Sequence, residues 1–485
     1  MFDGLFQKYR TLPIAAKSTI WFTICNFLIA GMGFITAPIF TRLISPEEYG
    51  VLTLFVSYEQ LIIILATWEL YLGAYQKGLF KFCNDQRNFT VSTLSLINII
   101  TIICFILVFI FHKAISEFTQ MTSSTLGLLF LYLMLIPAYQ CWIVRKRTAY
   151  DYGHAVPVTL IYAALNILIP FLAVVYIGAT ATVKFNATLL ISSVIAVVFY
   201  LGNLPLRNLS LSITKIQWSF LLVFQAPLVL HALSYLVLGQ ADRVMIGKMV
   251  GSSQAAYYGV AYTLASAVTI LQTSLNQALT PWRFQKLQEC RYDIIRTSTE
   301  ALLILMGGLI LLFVLIAPEI MQILFTVDYY EAVWCIPPVS TGVYFMFLYS
   351  VFVNIESFYE QTKYIMYVSL LCGLLSIGAN FVFIPLFGYI SCGYTTLFSY
   401  ILFAVFHYLC MQRICRREVP NVHIFSTTHI ITISMIVVLL SLLFTLMYPI
   451  VWLRYLTALL LCIISYTKRE YILPILAELK LNRTL

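Results

Sequence analysis

The residues able to do chemistry in this sequence are few and widely spaced. Glu59 lies well inside an apolar stretch, with Glu69 nearer that stretch's inner end. At about 100° per helical residue the two stand roughly 80° apart, close enough to face one wide cavity. A second acid, Asp242, precedes Arg243 in another apolar stretch and on a continuous helix shares a face with Tyr235 and His231. An acid, a phenol and an imidazole on one face suit a proton or small-cation path. Each of these charges also has a plainer reading. Glu69 would snorkel to the interface, Glu59 would sit in a structural ion pair, and His231 would hydrogen-bond to a neighbouring helix.

Tyr258, Tyr262, Thr269, Gln272 and Asn276 form the longest polar pattern. On a helix they fall within about 40° of one line, with Leu264, Val268 and Leu275 off it. Such a stripe faces water or a polar ligand, or hydrogen-bonds to neighbouring helices. Tyrosine rings cover the apolar faces of sugars and amides bond their hydroxyls. Lys17, Arg42, Arg243 and Lys363 add a basic set that attracts a diphosphate, although Lys17, Arg42 and Lys363 also suit interfacial anchors. No GxxxxGK[ST], HExxH or GxSxG occurs. The eleven cysteines make no CxxC or Cys/His cluster, so no catalytic residue, metal site or cofactor is expected. Glu47-Glu48 is the one obvious carboxylate doublet and reads as a helix-start pair after Ser45-Pro46.

The elements that must position these residues are membrane spans. Of 485 residues 61% are apolar and 10% charged, and the mean hydropathy is +0.91. Soluble domains carry about 25% charge, so a soluble globular protein is excluded. Fourteen apolar stretches run from 15–40 to 450–467, and spans of about 20 residues each fit easily. The seventh, 218–249, is long for one span and is expected to tilt or bend at Gly239. The first residues lack a cleavable signal, so the first span directs insertion. With the N-terminus inside, 23 Lys and Arg fall on the inner side and six (Arg42, Lys113, Lys184, Arg243, Lys248 and Arg454) outside, which places both termini in the cytoplasm. The net charge of +9 is therefore a topology signal, and nucleic acid is not an expected partner.

The chain also reads as duplicated. Tyr49-Gly50-Val51 matches Tyr258-Gly259-Val260, and Asn166, Pro170 and Tyr176-Ile177 match Asn380, Pro385 and Tyr389-Ile390. An even number of spans per half makes the halves parallel. The expected architecture is an all-α polytopic membrane protein: six helices in 1–215, six in 216–418, and two more with a cytoplasmic tail in 419–485.

Three segments carry a family resemblance. TRLISPEEYGVLTL resembles the R-L-x-P-E-x-Y/F-G element after the first span of polysaccharide transporters. QADRVMIGKMVGSSQAAYYGVAYTLA resembles their D-R-x-x-I-G…Y-G-x-A element. NFVFIPLFGYISCGYTTLFSY resembles their N-x-x-x-I-P-x-x-G-x-x-G element, departing from it around the second glycine, Gly393. The family is the O-antigen flippase (Wzx-type) branch of the multidrug/oligosaccharidyl-lipid/polysaccharide exporter superfamily.

The resemblance implies a flippase carrying an undecaprenyl-diphosphate-linked sugar repeat from the inner to the outer leaflet of a bacterial inner membrane. Two six-helix bundles would enclose a central cavity, and the prenyl tail would stay in lipid between the first and eighth spans. On this reading Lys17, Arg42, Arg243, Tyr258, Tyr262, Thr269, Gln272, Asn276 and Lys363 bind substrate. Glu59, His231 and Asp242 couple transport to a proton or sodium gradient. Membrane lipid, a polysaccharide polymerase and a chain-length regulator are the expected partners. Two other classes stay open: a cation-coupled small-molecule exporter of the same superfamily, and an O-antigen polymerase or ligase. The sugar-suited stripe and basic set weigh against the first, and the short outer loops against the second.

The charge split places Cys83 and Cys290 on the cytoplasmic side. A membrane-impermeant thiol reagent should leave both unlabelled in intact spheroplasts and label both after permeabilisation. Strong labelling of either in intact spheroplasts would overturn the orientation.

Overall fold

A computed structural model describes residues 13–203, 211–419 and 424–467. The described residues are nearly all helical, with no strand among them. Among the described residues twelve helices are long and apolar enough to cross a membrane, so the chain is a multi-pass membrane protein. Two more of the fourteen expected spans fall outside those twelve, for different reasons. Ser252–Gln288 has length to spare at 37 residues, but the polar side chains that mark it in the sequence dilute its apolar character. The apolar part of the last helix, Val451–Ile463, is short. The terminal segments 1–12 and 468–485, expected in the cytoplasm, lie outside the described residues.

The chain divides into two compact units, Met1–Leu236 and Val237–Leu485. The first holds α1 (Ile14–Leu43), α2 (Pro46–Thr67), α3 (Gly73–Lys81), α4 (Gln86–Ile110), α5 (His112–Thr119), α6 (Ser123–Thr148), α7 (Tyr152–Tyr176) and α8 (Ala181–Asn203). The division falls inside α9 (Leu211–Met249), about 20 residues beyond the 215/216 boundary expected from the sequence. The reason is local packing. Leu221 on α9 is buried with Tyr75, Phe89 and Ile97. Trp218 Nε1 donates to the Ser92 carbonyl at 2.9 Å, and Gln225 Nε2 to the Glu69 carbonyl at 3.4 Å. α9 is helical throughout its 39 residues, Gly239 included, with Pro227 the proline inside it.

Starts and turns in the first unit follow local chemistry. Ser45 Oγ accepts from Glu48 N at 3.3 Å and Pro46 opens α2, with Glu47 and Glu48 in its positive first turn. The Glu48 carboxylate also accepts from Ala181 N at 2.6 Å, so it closes the start of α8 as well. Gly78 on α3 meets α4 so closely that an added Cβ would lie 2.1 Å from the Phe89 ring. That ring is confined by stacking on Tyr75 at 5.6 Å and Phe82 at 5.0 Å.

The second unit holds α10 (Ser252–Gln288), α11 (Tyr292–Leu324), α12 (Ile336–Phe358), α13 (Thr362–Phe387), α14 (Ser391–Glu418), α15 (Thr427–Leu446) and α16 (Val451–Thr467). α12 is its core helix, packed by α10, α11, α14 and α15. The last two helices pack on α11 and belong to this unit. Arg454 Nη1 donates to the Glu319 carboxylate at 2.8 Å and the Leu315 carbonyl at 3.1 Å, while Tyr448 Oη donates to the Val314 carbonyl at 3.0 Å.

Gly78→Ala should force Phe89 and its two stacked partners apart. Overpacking of this kind costs about 1–3 kcal/mol, readable as a lower midpoint of thermal unfolding in detergent. Gly127→Ala, where an added Cβ meets nothing within 4 Å, is the matched control and should leave the midpoint unchanged.

Candidate functional site

Each unit carries a polar centre. In the first, helices α1, α2, α6, α7 and α8 surround a cavity of ≈ 440 Å³. Glu59 enters it from α2, Tyr132 from α6, Tyr162 and Asn166 from α7, and Ser192 from α8. A short relay crosses the wall: Tyr162 Oη donates to Ser192 Oγ at 3.0 Å, which donates to Asn166 Oδ1 at 2.8 Å. Tyr139 stacks on Tyr162 with ring centroids 4.7 Å apart. Arg147 also lines the cavity, held by Asn26 Oδ1 at 3.0 Å and lying over the Phe22 ring.

The charge that answers Glu59 is Lys184 on α8, which acts on it electrostatically without a direct ion-pair contact. The Lys184 ammonium lies 4.8 Å from the Phe40 ring centroid. Sequence reading placed Lys184 among the outer charges and missed this relation. Lysine position along one helix carries no sign of which neighbouring helix it meets.

In the second unit Asp242 is fully buried and held by three donors from three other helices. Asn380 Nδ2 of α13 reaches Oδ1 at 2.6 Å. Tyr258 Oη of α10 and Thr396 Oγ1 of α14 reach Oδ2 at 2.7 and 2.5 Å. Thr395 donates in turn to Asn380 Oδ1. Arg243 does not pair with Asp242, because successive side chains on a helix point about 100° apart. Its guanidinium instead lies 4.3 Å from the Tyr262 ring centroid and donates to Gln240.

The expected stripe on α10 is therefore not one open face. Tyr258 and Gln272 are 0% and 4% exposed, no more open than Leu264 and Val268 at 0% and 7%. Tyr258 belongs to the Asp242 centre. Tyr262 is half-buried beneath Arg243, and the Thr269 hydroxyl turns to its own helix at the Ala265 carbonyl. Asn276 Oδ1 accepts from Asn354 Nδ2 at 3.1 Å and Arg283 Nη1 at 3.3 Å. Partners from α9 and α12 satisfy polar groups that the sequence alone left for water.

The remaining expected residues are scattered. Lys17 is half-buried near the start of α1, and Arg42 is exposed in its last turn. Lys363 is exposed at the start of α13, its ammonium 5.6 Å from the Tyr364 ring centroid. The side chains of His231 and Tyr235 lie outside the described residues. Among the described residues no group of three His, Cys, Asp or Glu side chains could hold a metal ion.

A family model described as "Polysaccharide biosynthesis protein" matches residues 15–288, more than half of the chain. The chain belongs to that family. This polysaccharide biosynthesis protein shares its fold with solved transporters. The lipid II flippase MurJ, in an inward closed conformation, aligns at a TM-score of 0.67 and 14% identity, covering 93% of this chain and 100% of that one. An inward-facing multidrug resistance MATE family transporter of the MOP superfamily aligns at 0.64 and 13% identity, covering 82% and 99%. An outward-facing transporter of the same description aligns at 0.57 and 14% identity, covering 84% and 98%. No curated protein matches in sequence. The fold is that of these solved membrane transporters.

The buried Asp242 centre makes a direct prediction. Tyr258→Phe and Asn380→Ala each leave the Asp242 carboxylate one donor short. Each should destabilise the detergent-solubilised protein by about 1–3 kcal/mol. Thr269→Val, which loses only a contact within its own helix, should stay within about 0.5 kcal/mol. Equal unfolding midpoints for all three would show that Asp242 does not depend on these donors.

Proposed function

We propose that the protein is a flippase for an undecaprenyl-diphosphate-linked oligosaccharide, an O-antigen or related repeat of lipopolysaccharide biosynthesis. It works by alternating access in a bacterial inner membrane. The observation that carries this reading is membership of a polysaccharide biosynthesis family by a chain that aligns over 93% of its length with a flippase fold. In this reading α10 and α16 complete a set of fourteen spans, six in each parallel half and two beyond, with both termini in the cytoplasm.

Charge placement supports coupling to a proton or sodium gradient. Glu59 opens onto a polar cavity, and Asp242 is held by the Tyr258 and Thr396 hydroxyls and the Asn380 amide nitrogen, with the Thr395 hydroxyl and Asn380 Oδ1 behind them. Either carboxylate suits a proton, and the Asp242 cluster also offers the hard oxygen donors that a small cation takes. His231 remains a third coupling candidate. Arg243, with Lys17, Arg42 and Lys363, supplies attraction for the diphosphate, while Tyr262, Thr269, Gln272 and Asn276 supply contacts to sugar. Consumption of the repeats by a polymerase and a chain-length regulator on the outer side would draw transport forward.

A deletion strain should accumulate lipid-linked repeats on the cytoplasmic side and lose surface polysaccharide. Accumulation of single repeats at the cell surface would instead indicate a polymerase. Glu59→Gln keeps the side chain's shape and removes its titration, so it should cut surface polysaccharide at least tenfold with the protein inserted at native abundance. Arg243→Lys retains a cation over Tyr262 and should be milder than Arg243→Ala. Normal polysaccharide with both Glu59→Gln and Arg243→Ala would remove these charges from the mechanism.

A further inference from the structure

One groove in the first unit is built from charges that the transport reading does not use. It has a volume of ≈ 870 Å³ and is open to the outside. Lys81, at the end of α3, forms one wall, and Lys215, Ile216, Phe220, Val223 and Phe224, on α9, form the other. The Lys81 ammonium lies 4.5 Å from the Phe220 ring centroid, and the neighbouring Lys77 ammonium 4.8 Å from that of Phe224. Among the described residues no carboxylate pairs with Lys77, Lys81 or Lys215. The nearest acid in sequence, Asp85, is turned to Asn88, whose N and Nδ2 it accepts from at 3.3 and 2.6 Å.

Both walls are fixed to the same helix. Tyr75 on α3 is hydrogen-bonded to Thr90 on α4 at 2.7 Å, and Gly78 lies against Phe89. Trp218 on α9 is bonded to Ser92 on α4. The groove is therefore formed in advance of any occupant, with its positive charge uncompensated.

We propose that this groove holds an anionic phospholipid, its phosphate on Lys81 and Lys215, with Lys77 farther up beside Phe224, and one acyl chain along α9. The shape supplies the second half of the argument. From Lys215 an apolar stripe runs up α9 through Ile216, Phe220, Val223 and Pro227. Ile216 and Val223 on it are 64% and 74% exposed. At 1.5 Å per residue the stripe rises about 16 Å. That is close to half of a hydrocarbon core about 30 Å thick, the depth of one leaflet. A charged head at the interface with a chain one leaflet long describes a phospholipid. A free phosphate has no use for the stripe, and an undecaprenyl chain is far longer than it. With the orientation given by the Lys/Arg split, the lysines face the cytoplasmic leaflet, whose anionic lipids attract juxtamembrane cations at about 1 kcal/mol each.

Native mass spectrometry of the full-length protein, equilibrated with equal phosphatidylglycerol and phosphatidylcholine, tests this directly. Wild type should retain phosphatidylglycerol preferentially. The exposed triple variant Lys77→Gln/Lys81→Gln/Lys215→Gln should lose that preference about tenfold or more. Val223→Asp, which keeps the lysines and breaks the stripe, should also weaken retention. Should the triple variant fail to fold, Lys81→Gln alone carries the test with a smaller loss in the same direction. Undiminished preference in the folded lysine variant overturns the proposal. So does displacement of the lipid by inorganic diphosphate at equal concentration, which would mark a plain phosphate site. Retention of undecaprenyl diphosphate without phosphatidylglycerol would assign the groove to substrate and also overturn it. Surface polysaccharide is read separately, so the flippase reading stands or falls on its own.

Discussion

A carboxylate inside a hydrocarbon-embedded bundle must be answered by donors, and Asp242 draws its donors from three different helices. Each is contributed by a hydroxyl or amide whose position is set by packing elsewhere in the unit. Asp242 therefore fixes the register of α9 against α10, α13 and α14 more strictly than apolar contacts would. An aliphatic side chain tolerates a slide of an ångström or so, whereas a hydrogen bond loses most of its worth over the same distance. The fully buried dyad of Glu356 and His407, 2.9 Å apart, pins α12 to α14 in the same way. Polar contacts specify this unit, and its apolar surface then fills in around them.

The first unit uses the same device with one member missing. Asn166 and Asn380, which the sequence comparison matches, each accept a hydroxyl from the next helix, Ser192 or Thr395. The amide of Asn380 then goes to Asp242, but that of Asn166 turns back to the Tyr162 carbonyl of its own helix. The offset that relates Tyr49 to Tyr258 relates Gly33 to Asp242, and Gly33 lines the open cavity with nothing within 4 Å of an added Cβ. Space that an acid fills in one half is open in the other. The acid of the first unit, Glu59, approaches from α2 instead.

Spans and family were legible in the sequence because each rests on local pattern: apolar length, loop charge and short motifs. Partnership across helices was not. The stripe on α10 read as water-facing because polar periodicity is the same whether the partner is water or another helix. Burial of Tyr258 and Gln272 resolves it toward protein. Lys184 read as an outer charge because nothing in its own segment points to Glu59. Asp242 and Arg243 are adjacent in sequence, but adjacency on a helix points their side chains apart. The groove of Lys81 and Lys215 joins segments more than a hundred residues apart, and each lysine alone is an ordinary inner-side cation.

The manner in which the interior cations are held bears on transport itself. Among the described residues neither Arg243 nor Lys184 is in a direct ion pair, and each lies over an aromatic ring, Tyr262 or Phe40. A cation–π contact is worth about 0.5–2 kcal/mol. Breaking a buried ion pair by removing a partner costs about 3–5 kcal/mol. A cation resting on a ring can therefore be recruited by a passing anion and returned at small cost, whereas one locked to a carboxylate would have to be freed first. Arg454, clamped by Glu319, illustrates the opposite choice, where the task is to hold α16 to α11. In the flippase proposed above, loading and release of an anionic head group would need cations that are available without being stranded, and aromatic support provides both.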